Sequence, residues 1–480
     1  MKAEHLQNAI GMIDFDLVER SEKPMKRKKG MKITAAVAAI LVCAIGFGIF
    51  FGTPDPIDLS VHAISVATYP EMAKRPEVVD RTSSASNSDS KTKEWKKDQE
   101  KQHAYFGASK GLEEFIRATA SEILSGAGTE NRVYSPMSVY MALAMIAEVS
   151  DGNTRAQILN LLGAESIEAL RVQAKGVWNA NYNDDNAVTS ILASSLWLDN
   201  DLAYRKETLD ILAENYYASS YSGEMGSEEM NLALHEWLNE QTGENLKTQV
   251  DNISFDPQTI LGLATTIYFR AKWYDEFSET MTEKEVFQGA KNDVTVDFMN
   301  TTMTGVGYYW GENFSATVKG LEGSGSMYWI LPDENVTTDM LLQDEEVLRF
   351  ISSTNTYENI KRMKVHLSVP KFDITFDTDL IQNLKNLGVT DCFSSENSDF
   401  SPLLTETEKI STQIDKIQHS TRVTIDEEGV TGMSYSVIEG IWESTKPLYD
   451  EIDFVVDRPY IFVIKGEDGS VMFIGVVNQL

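Results

Sequence analysis

Apolar residues recur three and four positions apart in GLEEFIRATASEILSG (Gly111–Gly126) and SVYMALAMIAEV (Ser138–Val149), so both segments are predicted helices. Shorter runs, SILASSLWL (Ser190–Leu198), VHLSVPKFDITF (Val365–Phe376) and YIFVIKGEDGSVMFIGVV (Tyr460–Val477), have the alternation and β-branched content of strands and hairpins. Helical and strand patterns intermingle from Tyr105 onward without a repeat, which predicts one mixed domain. One further alternation stands apart. In EEGVTGMSYSVIEG (Glu427–Gly440), Val430, Gly432, Ser434 and Ser436 are small while Thr431, Met433, Tyr435 and Val437 are larger. A period of two puts these sets on opposite faces of a strand, yet the segment begins at a glycine and runs into an acidic loop.

Upstream of the body the pattern changes twice. Residues 33–52, ITAAVAAILVCAIGFGIFFG, carry no charge and are long enough to cross about 30 Å of hydrocarbon as a helix. The basic stretch KPMKRKKGMK precedes it and belongs on the cytoplasmic side, so the body is expected on the outer face of a cell membrane, held by a single-pass anchor. A cleaved signal peptide is the rival reading, but the run exceeds the usual apolar region and the small-residue site Ser65-Val66-Ala67 lies well beyond it. The predicted organisation is a short cytoplasmic head (1–32), a transmembrane anchor (33–52), a flexible extracytoplasmic tether (53–104) and the body (105–480). RTSSASNSDSKTKEWKKDQEKQ (Arg81–Gln102) is polar enough to predict the tether. LQNAIGMIDFDLVER (Leu6–Arg20) suggests a small amphipathic helix in the head.

Charge narrows the partners. Of a net charge of −31, the first 104 residues contribute 16 basic against 14 acidic side chains and the remainder 26 against 59. So acidic a body repels phosphate backbones, and no nucleic-acid partner is expected. Only Cys43 and Cys392 are present, which leaves no disulfide framework or zinc cluster to build. Enzyme signals fail on context. GASKG (Gly107–Gly111) fits a nucleophile elbow but follows a polar stretch instead of a strand. HEWLN has His235, but Asn239 stands where a zinc-protease motif needs its second histidine. No catalytic residue, metal or cofactor is expected.

Eight separated segments resemble the serpin family, in order, from about Tyr105 to Leu480. NRVYSPMSVYMALAMIAEVSDGNTRAQILNLLG (Asn131–Gly163), LALHEWLNEQTGENLK (from Leu232) and TTIYFRAKWYDEF (Thr265–Phe277) are similar to its most specific motifs. PKFDITFDTDLIQNLKNLGVTDCF, SDFSPL, IQHSTRVTIDEEG, DRPYIFVI and FIGVVN follow. The resemblance implies an α+β fold of about eight to nine helices around three β-sheets with an exposed reactive-centre loop, in a membrane-anchored, bacterial-type member of the family.

What the resemblance implies about function is suicide inhibition of a serine protease. The protease cleaves the loop, the loop inserts into the central sheet, and the acylated protease is carried to the far pole. Glu427, Glu428, Gly429, Val430, Thr431, Gly432, Met433, Ser434, Tyr435 and Ser436 would form the hinge, with the small set facing the core. Inhibitory members usually carry mainly alanine there. Ser135, Pro136, Ser138, Thr265, Trp273 and His419 would form the region where the sheet opens, with Thr265 in place of the usual asparagine. The family's scissile bond lies roughly fourteen residues beyond the hinge glycine, which points to Glu443-Ser444, with cleavage after Ile441 or Trp442 as alternatives. An elastase-, chymotrypsin-, subtilisin- or glutamyl-specific protease is the implied partner, met by a monomer. A non-inhibitory serpin acting as a binding or carrier module is the alternative.

Overall fold

The computed structural model describes residues 57–76, 86–242, 253–354, 357–405, 412–430 and 449–480. The expected head and anchor lie outside these residues, as do Thr431–Ser436, Ile441, Trp442, Glu443 and Ser444. Among the described residues no helix is long and apolar enough to cross a membrane.

Seventeen strands are described: β1 (Ala63–Ser65), β2 (Arg132–Tyr134), β3 (Asn183–Asp184), β4 (Val188–Asp199), β5 (Ala218–Gly223) and β6 (Leu261–Lys272) come first. They are followed by β7 (Glu283–Gln288), β8 (Asp293–Trp310), β9 (Phe314–Gly320), β10 (Ser326–Pro332), β11 (Ile360–Pro370) and β12 (Phe372–Asp379). The last are β13 (Ile414–Ile425), β14 (Gly429–Val430), β15 (Glu451–Val455), β16 (Tyr460–Lys465) and β17 (Val471–Val477). Ten α-helices are described, slightly more than expected: α1 (Ser86–His103), α2 (Glu113–Leu124), α3 (Pro136–Val149), α4 (Gly152–Leu162) and α5 (Ile167–Asn181) precede α6 (Lys206–Asn215), α7 (Glu228–Gln241), α8 (Thr338–Leu341), α9 (Glu345–Ser352) and α10 (Ile381–Asn386).

The central sheet has the order β1-β5-β4-β6-β14-β13-β12, with β3 added on β4. Its two faces are buried against different partners. Every residue of α3 is buried, as its all-round apolar sequence requires, and it packs between β4 and β6 on one side and β17 on the other. Ser135 caps its N-terminus, its Oγ accepting from the Ser138 amide at 3.2 Å, and Pro136 occupies the first turn, where its missing N–H costs nothing. On the opposite face, α7 sets Met230, Leu234 and Trp237 against Ala193 and Trp197 of β4 and Ala264 of β6. The alternation along β4 sorts Trp197 to α7 and Leu196 and Leu198 to the main core.

The other two expected sheets are joined into one nine-stranded sheet of order β15-β11-β8-β9-β10-β16-β17-β2, with β7 on β8. The bond between them is β8, which is 18 residues long. Gly305, at φ +74°, is skipped where β11 pairs Met363 with Val306 but Lys364 with Thr304. That bulge bends the ladder without breaking it, so two lobes share one strand.

The expected tether is the clearest correction. Residues 57–76 and α1 are packed on the body. β1 extends the central sheet by pairing Ala63 with Tyr221 and Ser65 with Ser220. Tyr69 lies against Trp178, Tyr182 and Tyr217, and Trp95 donates to Asp185 Oδ2 at 2.8 Å. A few widely spaced apolar and aromatic side chains make these contacts, and an average over a polar window dilutes them below the composition of a folded segment.

Candidate functional site

In the middle of the central sheet β6 and β13 run parallel, but only for part of their length. Their pairing extends from Leu261 opposite Ile414 to Thr265 opposite His419 and stops there. Beyond it, Thr266–Arg270 and Ser420–Thr424 are not paired with each other. At the far end β14 stands between the two strands, antiparallel to both, with Val430 opposite Ala271 and Ile425. The sheet is therefore parted along one seam.

His419 closes the lower end. It is fully buried, and burial lowers its pKa to about 4. The Ser135 amide reaches Nε2 at 3.2 Å and can only donate, so Nε2 is the acceptor; the Thr421 hydroxyl adds a second donor at 3.0 Å. The proton of the neutral ring then sits on Nδ1, 3.4 Å from Thr265 Oγ1. One imidazole thus links α3, β6 and β13. Of the residues expected in this region, Ser135, Thr265 and His419 meet directly, Pro136 and Ser138 serve the cap of α3, and Trp273 lies at the other end of the seam.

That upper end is assembled on Asp426–Val430. Asp426 Oδ1 accepts from the amides of Glu428 and Gly429 at 3.0 and 3.1 Å, which makes a tight turn. Trp273, almost wholly buried, donates its indole N–H to Asp426 O at 2.8 Å and its amide to Glu428 O at 2.9 Å. The Phe277 amide takes Glu427 O at 3.0 Å. The Glu427 carboxylate is bound by Lys371 Nζ and Thr282 Oγ1, both at 2.6 Å. Burial raises that carboxyl, but these bonds outweigh it and leave the pKa below the ordinary value. At Gly429 an added Cβ would stand 2.4 Å from Ala271 O, so only glycine fits.

Sequence reasoning missed Asp426, Lys371, Thr282 and Phe277. Asp426, Lys371 and Phe277 lie inside recognised motifs, but nothing in their spacing announces that Lys371 and Phe277 meet the hinge from distant parts of the chain. The rejected enzyme signals have structural roles. Ser109 is buried and bonded to Ser470 Oγ at 2.8 Å, and His235 Nε2 meets Ile253 O at 2.6 Å. Burial pushes the Cys392 thiol up to about 12. Among the described residues no group of His, Cys, Asp or Glu is set to hold a metal ion.

A parted central sheet with the start of a loop wedged into it agrees with the family comparison: residues 111–480 match the family model described as serpin (serine protease inhibitor). The chain belongs to the serpin family. Human leukocyte elastase inhibitor is 27% identical over 355 residues, 72% of this chain and 92% of that protein. The native-state structure of the thermophilic serpin tengpin is 25% identical with a TM-score of 0.68, covering 77% of this chain and 93% of that one. Human thyroxine-binding globulin, at 18% identity and a TM-score of 0.67 over 78% of this chain and 99% of that one, shares the fold alone. This serpin thus has inhibitors among its relatives and a thyroxine-binding protein among its structural neighbours.

Proposed function

We propose that this serpin is a suicide inhibitor of a serine protease and that the parted seam between β6 and β13 is the slot its cleaved loop enters. The observation that carries this reading is β14, which already occupies the head of the slot in the antiparallel sense. Continuing its register would set Gly432 opposite Phe269 and Val423, Ser434 opposite Ile267 and Thr421, and Ser436 opposite Thr265 and His419. Val430, the first of the small set, is buried in the core. Small residues in phase with it suit a face where a bulky or charged group has no room.

Entry as far as Tyr435 uses the segment where β6 and β13 are already unpaired with each other. Ser436 would meet the Thr265–His419 contact, and every further residue requires the parallel pair to separate. Each parallel hydrogen bond lost is replaced by bonds on both sides of the new strand, each worth about 0.5–1.5 kcal/mol net. Cleavage at Glu443-Ser444, or after Ile441 or Trp442, would free the loop, and insertion would then outrun hydrolysis of the acyl bond.

The test is a covalent complex that survives boiling in detergent, formed with an elastase-, chymotrypsin-, subtilisin- or glutamyl-specific protease. Gly432→Arg should be cleaved at the same bond yet release active enzyme, because an unpaired buried charge costs several kcal/mol. If the wild type forms no complex and gains no heat resistance on loop cleavage, the binding-module alternative takes its place. We further propose that residues 33–52 anchor the protein, with the body outside. The charge-free run and its basic flank support this, and protease shaving of intact cells should release the body, whereas recovery only from the cytosol would refute it.

A further inference from the structure

Strand registers fix which end of the body each segment occupies. Ala63 pairs with Tyr221, Tyr221 with Trp197 and Trp197 with Gly262, so Ala63 stands level with Gly262 near the start of β6. The reactive loop departs from Val430, level with Ala271. Nine residues of strand separate these levels, about 30 Å at 3.3 Å per residue. Upstream of β1 the chain stays at the lower end: the Ser222 amide donates to His62 O at 2.8 Å, and Ile57 and Leu59 pack against the cluster under α7. From Ser65 the segment climbs the edge of the sheet. Ser65 Oγ donates to Asp210 at 2.8 Å, Tyr182 donates to Pro70 O at 3.0 Å, and the Arg75 amide reaches Asp185 O at 2.7 Å beside the upper end of β4. The segment is thus a strap fixed along its length, and the body begins at the pole opposite the reactive loop.

The same register locates the other end of the reaction. If β14 were extended without a slip, Glu443 would come opposite Gln258 and Thr412, just past the starts of β6 and β13. This is within about four residues of strand, or about 13 Å along the sheet, of the level of Ala63. Between the inserted strand and β1 lie β6, β4 and β5, a lateral distance of about 19 Å at 4.8 Å per strand.

We propose that the strap makes the pole from which residues 1–56 depart the pole that receives the trapped protease, so that capture draws the protease towards whatever holds the N-terminal part of the chain. This rests on the trapping reading and adds the position of the chain's N-terminal side to it. Only Thr53–Pro56 separate Gly52 from Ile57, a span of at most about 18 Å. If residues 33–52 anchor the protein, the loop is offered to the medium and the captured enzyme is delivered to the membrane surface.

The experiment uses the full-length chain with an energy acceptor on Ser60→Cys, an exposed position at the lower pole, in a Cys43→Ser background. The donor is on a protease that forms the detergent-stable complex. A catalytically inert copy of that protease, bound but unable to cleave, should show little transfer, and trapping by the active enzyme should raise it at least several-fold. In vesicles with an acceptor lipid, the same step should raise donor-to-lipid transfer, and twenty Gly/Ser residues inserted between Pro56 and Ile57 should reduce that rise. A stable complex with no approach to residue 60, or high transfer already in the inert complex, overturns the proposal while trapping stands. Absence of any stable complex overturns the trapping reading, and this inference with it.

Discussion

At the lower end of the seam a neutral imidazole with no solvent access joins three elements, whereas at the upper end a largely buried carboxylate is paired with a lysine that is one-third exposed to water. The two closures differ in what their removal leaves behind. Without His419, the Ser135 amide and two hydroxyls are stranded in a dry core; without the Glu427 charge, Lys371 can still turn to solvent. Deep polar contacts act all or none, while the hinge is retained by replaceable ones. On the trapping reading proposed above, this asymmetry suits a slot that stays closed until its loop is cut and then opens from the top.

The largest expected effect therefore lies at the bottom. His419→Leu should destabilise the native state by about 3 kcal/mol or more, since each buried group left unpaired costs about 1–3 kcal/mol; urea unfolding measures it. The pH dependence follows from the same residue. The folded pKa, about 4, is below the ordinary 6.5, so the unfolded chain takes up the proton first. Stability is whole above pH 6.5 and declines towards pH 4, by on the order of 3 kcal/mol. His419→Gln should remove this part of the pH slope while retaining part of the bonding. An unchanged slope in that variant would show that other groups, not His419, carry the loss of stability towards pH 4.

Next comes the head of the slot. At Gly429→Ala the new Cβ would meet Ala271 O at 2.4 Å and Lys272 Cα at 2.7 Å, main-chain atoms held in a central strand. Strain of about 1–3 kcal/mol should expel β14 from the sheet. Amide exchange at Val430 and Trp273 should then quicken while that of β12 does not, which separates loss of the wedge from general unfolding. Retention of slow exchange at Val430 would mean that the wedge tolerates a side chain.

How much of this was legible depended on whether a signal was local. The motif around Thr265–Phe277 and the eight residues from His419 to Glu427 are contiguous, so resemblance carried them and the fold together. Thr421 was readable in principle, because two residues along a strand return to the same face as His419. Lys371 and Thr282 were not, since each meets Glu427 across the chain's topology and neither has a neighbour that marks it. The strap failed for another reason. β1 is three residues long and its pairing partner lies more than 150 residues away, so no periodicity can build up. Polar composition marks a segment as unable to form its own core, but it is silent on whether another core will accept its few aromatic side chains.

The smallest expected effect tests the hinge charge itself. Glu427→Gln keeps the shape and the chance of a bond from Thr282 but removes the ion pair with Lys371. Lys371 is one-third exposed and regains water, so the loss should be about 0.5–1 kcal/mol and should shrink further in high salt. Glu427→Lys should cost more, since it sets two ammonium groups together beside a buried turn, and Lys371→Glu in that background should recover part of the loss. Because the Glu427 carboxyl titrates below its ordinary value, the hold is complete above about pH 4.5 and is lost as pH falls through the lowered pKa. Hydrogen exchange at Glu428–Val430 reads the hinge directly, and there the Gln variant at neutral pH should match the acidified wild type. If neither changes exchange at the hinge, the turn made by Asp426 and the bonds from Trp273 and Phe277 hold it alone, and the upper closure does not depend on the ion pair.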